Sequence, residues 1–202
     1  MAEVKVLLKG YLMKDSPTGM GSCSTISLIR TKDFTGKDLI MVVDPGTCLS
    51  QNLIRDALKA EGLTCDDVTH VGVTHSHMDH FRNIGMFPNA ISVNYDGIWT
   101  ADECVYSNED DVLQIGEGLK TVKTPGHSYD SITFLVETSE SGAGAGADVS
   151  VAICGDVFWQ KDYPKVEDDP YASDRAELVK SRAKVLEMAD AVIPGHGEKY
   201  AV

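Results

Sequence analysis

The chain is short of cations, of regularly spaced cysteines and of long apolar runs, and each shortage closes off a class of function. Eighteen Lys and Arg stand against 31 Asp and Glu, a formal charge of −13 over 202 residues. Such a surface repels a phosphate backbone, and proteins that grip nucleic acid by charge usually carry the opposite sign. The acidic residues gather in Asp102 to Glu117 and Asp162 to Asp174, where their ordinary role is solubility. Five cysteines (Cys23, Cys48, Cys65, Cys104 and Cys154) are an odd number without a repeating interval. No disulfide framework is therefore expected, and a reducing cytosol or nucleus is the expected home. No segment approaches the length of a membrane span, and Met1-Ala2-Glu3-Val4-Lys5 lacks a basic region followed by a long apolar stretch. Neither membrane insertion nor secretion is expected.

A hydrophobic content of 43% in 202 residues suits one well-buried domain over residues 1–202 rather than two. Val4 to Tyr11, Ser24 to Ile29, Leu39 to Val43, Val68 to Thr74 and Ala90 to Asn94 read as strands, with Met13 to Gly21 as a mobile hairpin loop. Ser50 caps an expected helix with Leu53, Ile54, Ala57 and Leu58 on one face, ended by Gly62. Val112 to Ile115 and Leu119 to Lys123 form a hairpin. Ile132 to Thr138 and Val149 to Cys154 flank a low-complexity Gly-Ala turn, Ser139 to Asp148. A second helix, Ser173 to Met188, carries Ala176, Val179, Ala183 and Leu186 at helical spacing with Ser173 or Asp174 as its cap, and Ala191 to Ile193 is a last strand. Two strand-rich halves, each followed by helix, suit an α/β fold of two sheets packed face to face with helices outside.

The chemistry is concentrated in His75-Ser76-His77-Met78-Asp79-His80, directly after an apolar strand. His127 follows in Thr124-Pro125-Gly126-His127, Asp156 in Cys154-Gly155-Asp156, and His196 in Pro194-Gly195-His196-Gly197, each at the end of an apolar run beside glycine. Imidazole and carboxylate together are the ligands of a borderline divalent ion such as zinc, and the scarcity of thiols near the motif argues against a cysteine-rich structural site. A catalytic ion needs three protein ligands and a water, so His75, His77, Asp79, His80, His127, Asp156 and His196 are too many for one ion and right for two that share a bridge. Residues two apart at a strand end point the same way, so His75 and His77 serve one ion while Asp79 and His80, on the next helical turn, serve the other. Asp156 is the natural bridge, since a carboxylate has two oxygens and an imidazole one free lone pair. His70, inside the strand, reads as structural, and Cys154 as core.

These four motifs in this order resemble the metallo-β-lactamase superfamily of metal-dependent hydrolases, over nearly the whole chain from Val4 onward. The resemblance implies the αββα sandwich, two mixed sheets with helices on the outer faces. It also implies His75, His77 and His127 on a first metal, Asp79, His80 and His196 on a second, and Asp156 between them. Asp156 is itself informative: β-lactamases of this fold usually lack aspartate at the bridge, which places the chain nearer the nuclease, thioesterase and lactonase branches. Asp67-Val68-Thr69, Asn83 to Pro88, Gly155-Asp156-Val157-Phe158 and the stretch from Ser181 to His196 further resemble the small animal metallo-β-lactamase-domain proteins linked to histone pre-mRNA processing. That narrower likeness implies an endoribonuclease.

Two zinc ions, with iron or manganese as alternatives, can lower the pKa of a shared water and polarise a carbonyl or phosphoryl oxygen. Asp79 is the expected proton acceptor and Tyr129 a candidate for stabilising an oxyanion, while Lys161 and Lys165 are candidates for a locally basic mouth that binds substrate. RNA is the first substrate reading, and a small ester, thioester or lactone the second. A single-iron persulfide dioxygenase and a binding protein without catalysis complete the alternatives. Neither the helical domain of the glyoxalase II branch nor the RNA-gripping arms of large nucleases is expected, so substrate is expected to be held by the core fold, its loops or a second copy in a homodimer.

Overall fold

The computed structural model describes residues 2–16, 19–106, 112–139 and 148–202. In chain order, β1 (Glu3–Leu8) leads into a hairpin of β2 (Tyr11–Ser16) and β3 (Gly19–Cys23), followed by β4 (Ile26–Lys32), β5 (Asp38–Val43) and α1 (Gln51–Ala60). Then come β6 (His70–Gly72), α2 (Met78–Phe81), β7 (Ile91–Asn94), β8 (Gly97–Trp99) and β9 (Cys104–Tyr106). The second half holds β10 (Val112–Gly116), β11 (Leu119–Lys123), β12 (Ile132–Ser139), β13 (Asp148–Ile153), α3 (Arg175–Met188), β14 (Ala191–Ile193) and β15 (Tyr200–Ala201). One sheet runs β1-β4-β5-β6-β7-β8-β9 and the other β10-β11-β12-β13-β14-β15. Both are mixed: β5, β6 and β7 are parallel in the first, as are β13 and β14 in the second, and their other pairs are antiparallel.

Because strand residues alternate faces, neighbouring apolar positions feed different layers. Ile29, Met41, Val43, Phe134, Val136, Val151 and Ile193 meet between the sheets. Their neighbours Leu28 and Val42 pack outward with Ile54 and Leu58 of α1, and Leu135, Ala152 and Val192 pack outward with Leu178 and Val185 of α3. The result is the αββα sandwich. Its halves are stitched at one edge, where Ile132 N–H donates to Thr74 O at 2.8 Å and Thr25 N–H to Gly195 O at 2.6 Å. Loops from both sheets therefore emerge side by side.

Ser50 caps α1 by accepting from Asn52 N–H, and Asp174 caps α3 by accepting from Ala176 and Glu177. The buried faces differ from the apolar stripes expected. Ile54 and Leu58 are buried in α1 while Leu53 is exposed. In α3, Leu178, Ser181 and Val185 are buried, whereas Val179 is 54% and Leu186 40% exposed. The cause is polar anchoring: Ser181 Oγ donates to Pro125 O at 2.6 Å, and Arg182 donates through Nε to Val157 O at 2.7 Å and through Nη1 to Pro164 O at 2.9 Å. These bonds turn the helix by about one residue relative to its apolar stripe. The hairpin at Met13 to Gly21 is strand almost to its tip, and β8 and β9 extend the first sheet beyond the strands expected. Most of the Gly-Ala turn, and 107–111 of the first acidic run, lie outside the described residues.

The described cysteines are free, and burial pushes the Cys154 thiol up to about 12, consistent with a core residue. Among the described residues, no helix is long and apolar enough to cross a membrane.

Leu178→Ala is expected to lower stability by about 2–5 kcal/mol, while Val179→Ala stays within about 0.5 kcal/mol. Urea unfolding of both variants checks this, and equal costs would return α3 to the face read from its apolar spacing.

Candidate metal centre

After Gly72 ends β6, the chain turns across the sheet edge and enters α2. A carboxylate from the neighbouring strand end fixes this turn. Asp44, buried just past β5, accepts from Thr74 N–H at 2.8 Å and Thr74 Oγ1 at 2.7 Å, and meets His80 Nδ1 at 2.8 Å. It does so with φ at +52°, a conformation that aspartate tolerates better than most residues. Two residues on, a Cβ at Gly46 would overlap the Asp79 carbonyl oxygen, which instead accepts from Thr47 N–H at 3.2 Å and Ser24 N–H at 3.3 Å. The Asp44-Pro45-Gly46 turn is thus the seat of the histidine-rich loop.

Seven side chains converge on this seat in two groups, His75, His77, His127 and Asp156 in one, Asp79, His80 and His196 in the other. His77 Nδ1 lies 3.0 Å from both His75 Nε2 and His127 Nε2. Asp156 faces both groups: Oδ2 is 3.5 Å from His127 Nε2 and 3.3 Å from His196 Nε2, and Oδ1 is 3.4 Å from His80 Nε2. His196 Nε2 is 3.6 Å from Asp79 Oδ2. The close approach of Asp156 depends on Gly195, since a Cβ there would fall on Oδ1.

The far nitrogens of the buried rings are held as well. His75 Nδ1 meets Thr74 Oγ1 at 3.1 Å, His127 Nδ1 meets Asp169 Oδ2 at 3.2 Å, and His196 Nδ1 meets Cys23 O at 2.9 Å, beside the His80–Asp44 pair. Such partners fix ring orientation and tautomer in metal-binding histidines.

The donor set fits a cation. His80 Nε2 and Asp156 Oδ1 are buried with no hydrogen-bond partner, a costly arrangement unless an ion satisfies them. Burial raises the Asp156 carboxyl, but the charges of His196 and His80 outweigh it and hold the group well below its ordinary range. Burial lowers His80, but Asp156 and Asp44 outweigh it and hold the ring well above its usual value. His75 is pushed well below by burial and by the charge of His80, so its ring stays neutral, the form that ligates metal. Nitrogen and carboxylate donors without thiolate suit a borderline divalent ion.

The groups open into a cavity of about 290 Å³, with Asp79, Asp156 and His77 on its floor and Leu12, Met78, Trp159 and Tyr171 around it. Among the described residues, no Lys or Arg lines it. Tyr171 stacks on Trp159 with ring centroids 5.8 Å apart, and stands edge-on to His77 at 6.4 Å.

Three expected substrate or catalytic residues stand elsewhere. Tyr129 is 74% exposed and does not line the cavity, so the oxyanion role expected of it has no geometric basis; the loop turns its ring to solvent. Lys161 and Lys165 are exposed and also absent from the lining, although Lys161 borders an adjoining groove. Conversely, Asp44 was not among the candidate residues, and Asp169 read as part of a solubilising acidic run. An aspartate directly before Pro-Gly at a strand end was the available signal for the first. For Asp169 there was none, because its partner is 42 residues away.

Fold and site together define a metal-binding hydrolase of the αββα type. The sequence model of the metallo-β-lactamase superfamily matches residues 24–103. Metallo-β-lactamase domain-containing protein 1 of Xenopus laevis is 32% identical, over 98% of this chain and 81% of its own. An N-acyl homoserine lactonase of Azorhizobium caulinodans is 31% identical over 51% of this chain and 46% of its own. A Thermotoga maritima structure assigned to the metallo-β-lactamases superposes with a TM-score of 0.72 at 22% identity, covering 100% of this chain and 99% of that one. The chain belongs to the metallo-β-lactamase superfamily, whose members are generally metal-dependent hydrolases with divalent ions at a His/Asp site.

Asp44→Ala is expected to weaken zinc binding by about 10- to 100-fold, the usual cost of removing a ligand's hydrogen-bonded support. Competition against a chromogenic chelator measures it, and unchanged affinity would show that Asp44 supports the loop without orienting its ligands. His70 stands apart from both groups, paired with Thr69 Oγ1 at 2.8 Å, and burial lowers its pKa from 6.5 to about 4. Its folded pKa is depressed, so its stabilising contribution is full above about pH 6.5 and is lost as pH falls toward about 4. In metal-free protein, His70→Gln should flatten the decline of the urea midpoint across that window. A parallel decline in both proteins would remove His70 from the acid response.

Proposed function

We propose that the chain is a metal-dependent hydrolase that cleaves phosphodiester bonds in single-stranded RNA. Two zinc ions would be held by His75, His77 and His127 on one side and by Asp79, His80 and His196 on the other, with Asp156 shared. When bound, such ions supply Lewis acidity at the ester oxygen and bring the pKa of water toward neutrality. Asp79 lines the cavity floor with a partly exposed carboxylate, placed to take the proton of an attacking water. Thr74, Asp44, Asp169 and the Cys23 carbonyl keep the imidazoles from rotating during the reaction.

The observation that carries the RNA reading is the aromatic wall beside the ligands. Tyr171, half exposed and backed by the buried Trp159, offers a flat surface next to His77. Unpaired bases are recognised by stacking on aromatic rings, and stacking requires no positive surface. A chain of net charge −13 can therefore hold a base. The likeness of Asn83 to Pro88 and of Ser181 to His196 to proteins linked to pre-mRNA processing supports the same reading. One observation favours a second reading. A cavity of about 290 Å³, with no Lys or Arg among the described residues of its lining, also suits a small uncharged ester, thioester or lactone, the class on which the Azorhizobium relative acts by name.

Zinc-loaded protein is expected to cut a single-stranded oligoribonucleotide, to stop when the metal is chelated, and to resume when zinc returns. Asp156→Ala should abolish cleavage and deplete metal. Tyr171→Ala should raise KM about tenfold or more, since stacking is worth about 1–3 kcal/mol per base, whereas Tyr171→Phe and Tyr129→Phe should leave it nearly unchanged. Turnover of a neutral lactone or thioester with no RNA cleavage would install the second reading. One iron per chain together with persulfide oxidation would overturn both.

A further inference from the structure

Beside the metal cavity lies a second groove, and its charge runs against that of the chain. This groove, of about 490 Å³, shares Leu12 and His196 with the metal cavity and is bordered by Lys9, Lys161 and Lys199. Among the described residues, Glu198 is the single acid in its lining, although the chain has 31 acids to 18 bases. Three lysines gathered on one border therefore create a local positive field where the surrounding surface is negative, and a cleft concentrates such a field toward an incoming anion.

The groove is built from the same turn that presents a metal ligand. Gln160 Nε2 donates to His196 O at 3.0 Å, and Thr25 Oγ1 donates to Gly197 O at 3.0 Å, so the floor between groove and cavity is the Gly195-His196-Gly197 turn itself. Lys161 stands over the Tyr200 ring at 5.7 Å, which anchors its stem at the border. Lys9 Nζ meets Glu198 Oε1 at 2.9 Å, both side chains being largely exposed. An exposed pair of this kind is worth little, so a phosphate or carboxylate can take the place of Glu198 at Lys9 with small loss.

We infer that this groove is an anion subsite for a negatively charged group on the substrate, adjacent to the bond that is cut. Resting on the RNA reading, the group is the phosphate flanking the scissile one: the base stacks at Tyr171, the scissile phosphate lies over the ligand cluster, and the next phosphate enters among the lysines. On the small-molecule reading, the same chemistry comes from a carboxylate or phosphate carried by an ester or thioester. Lys165, read from sequence as part of a basic mouth, does not border the groove.

The test uses zinc-loaded protein, a fluorescent single-stranded pentauridylate, and a matched pair of thioesters, one bearing a carboxylate and one neutral. In Lys9→Gln/Lys161→Gln/Lys199→Gln, the log–log salt slope of pentauridylate binding should become shallower by about 0.7 for each phosphate that the lysines no longer neutralise, with zinc content and thermal midpoint unchanged. Lys165→Gln should leave the slope as it is. If RNA is neither bound nor cut but KM for the anionic thioester rises tenfold or more in the triple variant while that of the neutral one stays constant, the subsite stands and the RNA reading falls. If the salt slope and the anionic thioester KM are both unmoved, the subsite is overturned, whether or not RNA is cleaved.

Discussion

Asp44 holds together the part of the molecule on which everything else at the centre depends. Its carboxylate reaches Thr74 twice and His80 once, and through the Thr74 hydroxyl it is one step from His75. A buried carboxylate with three such partners is strongly favoured only while all of them are in place, because a missing partner leaves an unsatisfied polar atom away from water. The loop from Val73 to His80 therefore closes as a unit, even though its own sequence, rich in polar side chains and bounded by a short strand, has little local tendency to any one shape. The positive φ of Asp44 is the local cost of aiming that carboxylate along the sheet edge.

The layered core explains why such a loop can exist at this location. Three separate apolar layers leave the strand ends at one edge as the place where chains from both sheets emerge without crossing. His75 and Asp79 arrive from the first sheet; His127, Asp156 and His196 arrive from the second, on the turns after β11, β13 and β14. Each sheet alone carries an incomplete set of donors. Ordering of the site is thereby tied to packing of the two halves, and metal binding and folding draw on the same free energy.

Much of this was legible in the chain. The metal-ligand residue types stood at strand ends beside glycine, and glycine is what close approach demands, as Gly195 shows at Asp156. Strands with apolar runs announced themselves, even the short β6 and β14; β8 and β9, partly exposed, did not, and the polar, glycine-containing β2 and β3 read as a loop. The face of α3 was illegible for a physical reason. Ser181 and Arg182 turn toward the core because their hydrogen bonds hold the Thr124-Pro125-Gly126-His127 loop and the turn at Val157, so polar residues share the inner side with Leu178 and Val185. Hydrophobic periodicity has no access to such an arrangement, nor to Asp169, whose partners His127 and Tyr171 are united only by the fold.

Asp169 has a wider implication. One of its oxygens meets the Nδ1 of His127, and the other accepts from the backbone N–H of Tyr171 at 2.9 Å. A candidate metal ligand and a wall of the adjoining cavity thus hang from a single fully buried carboxylate. Changes at that wall are not independent of the centre, because rebuilding the segment around Tyr171 disturbs the carboxylate that holds His127. Met78 lies between His77 and Asp79 and is bound to the same cluster, whereas Leu12 carries no such attachment; it is on the Leu12 side of the cavity that new selectivity can accumulate.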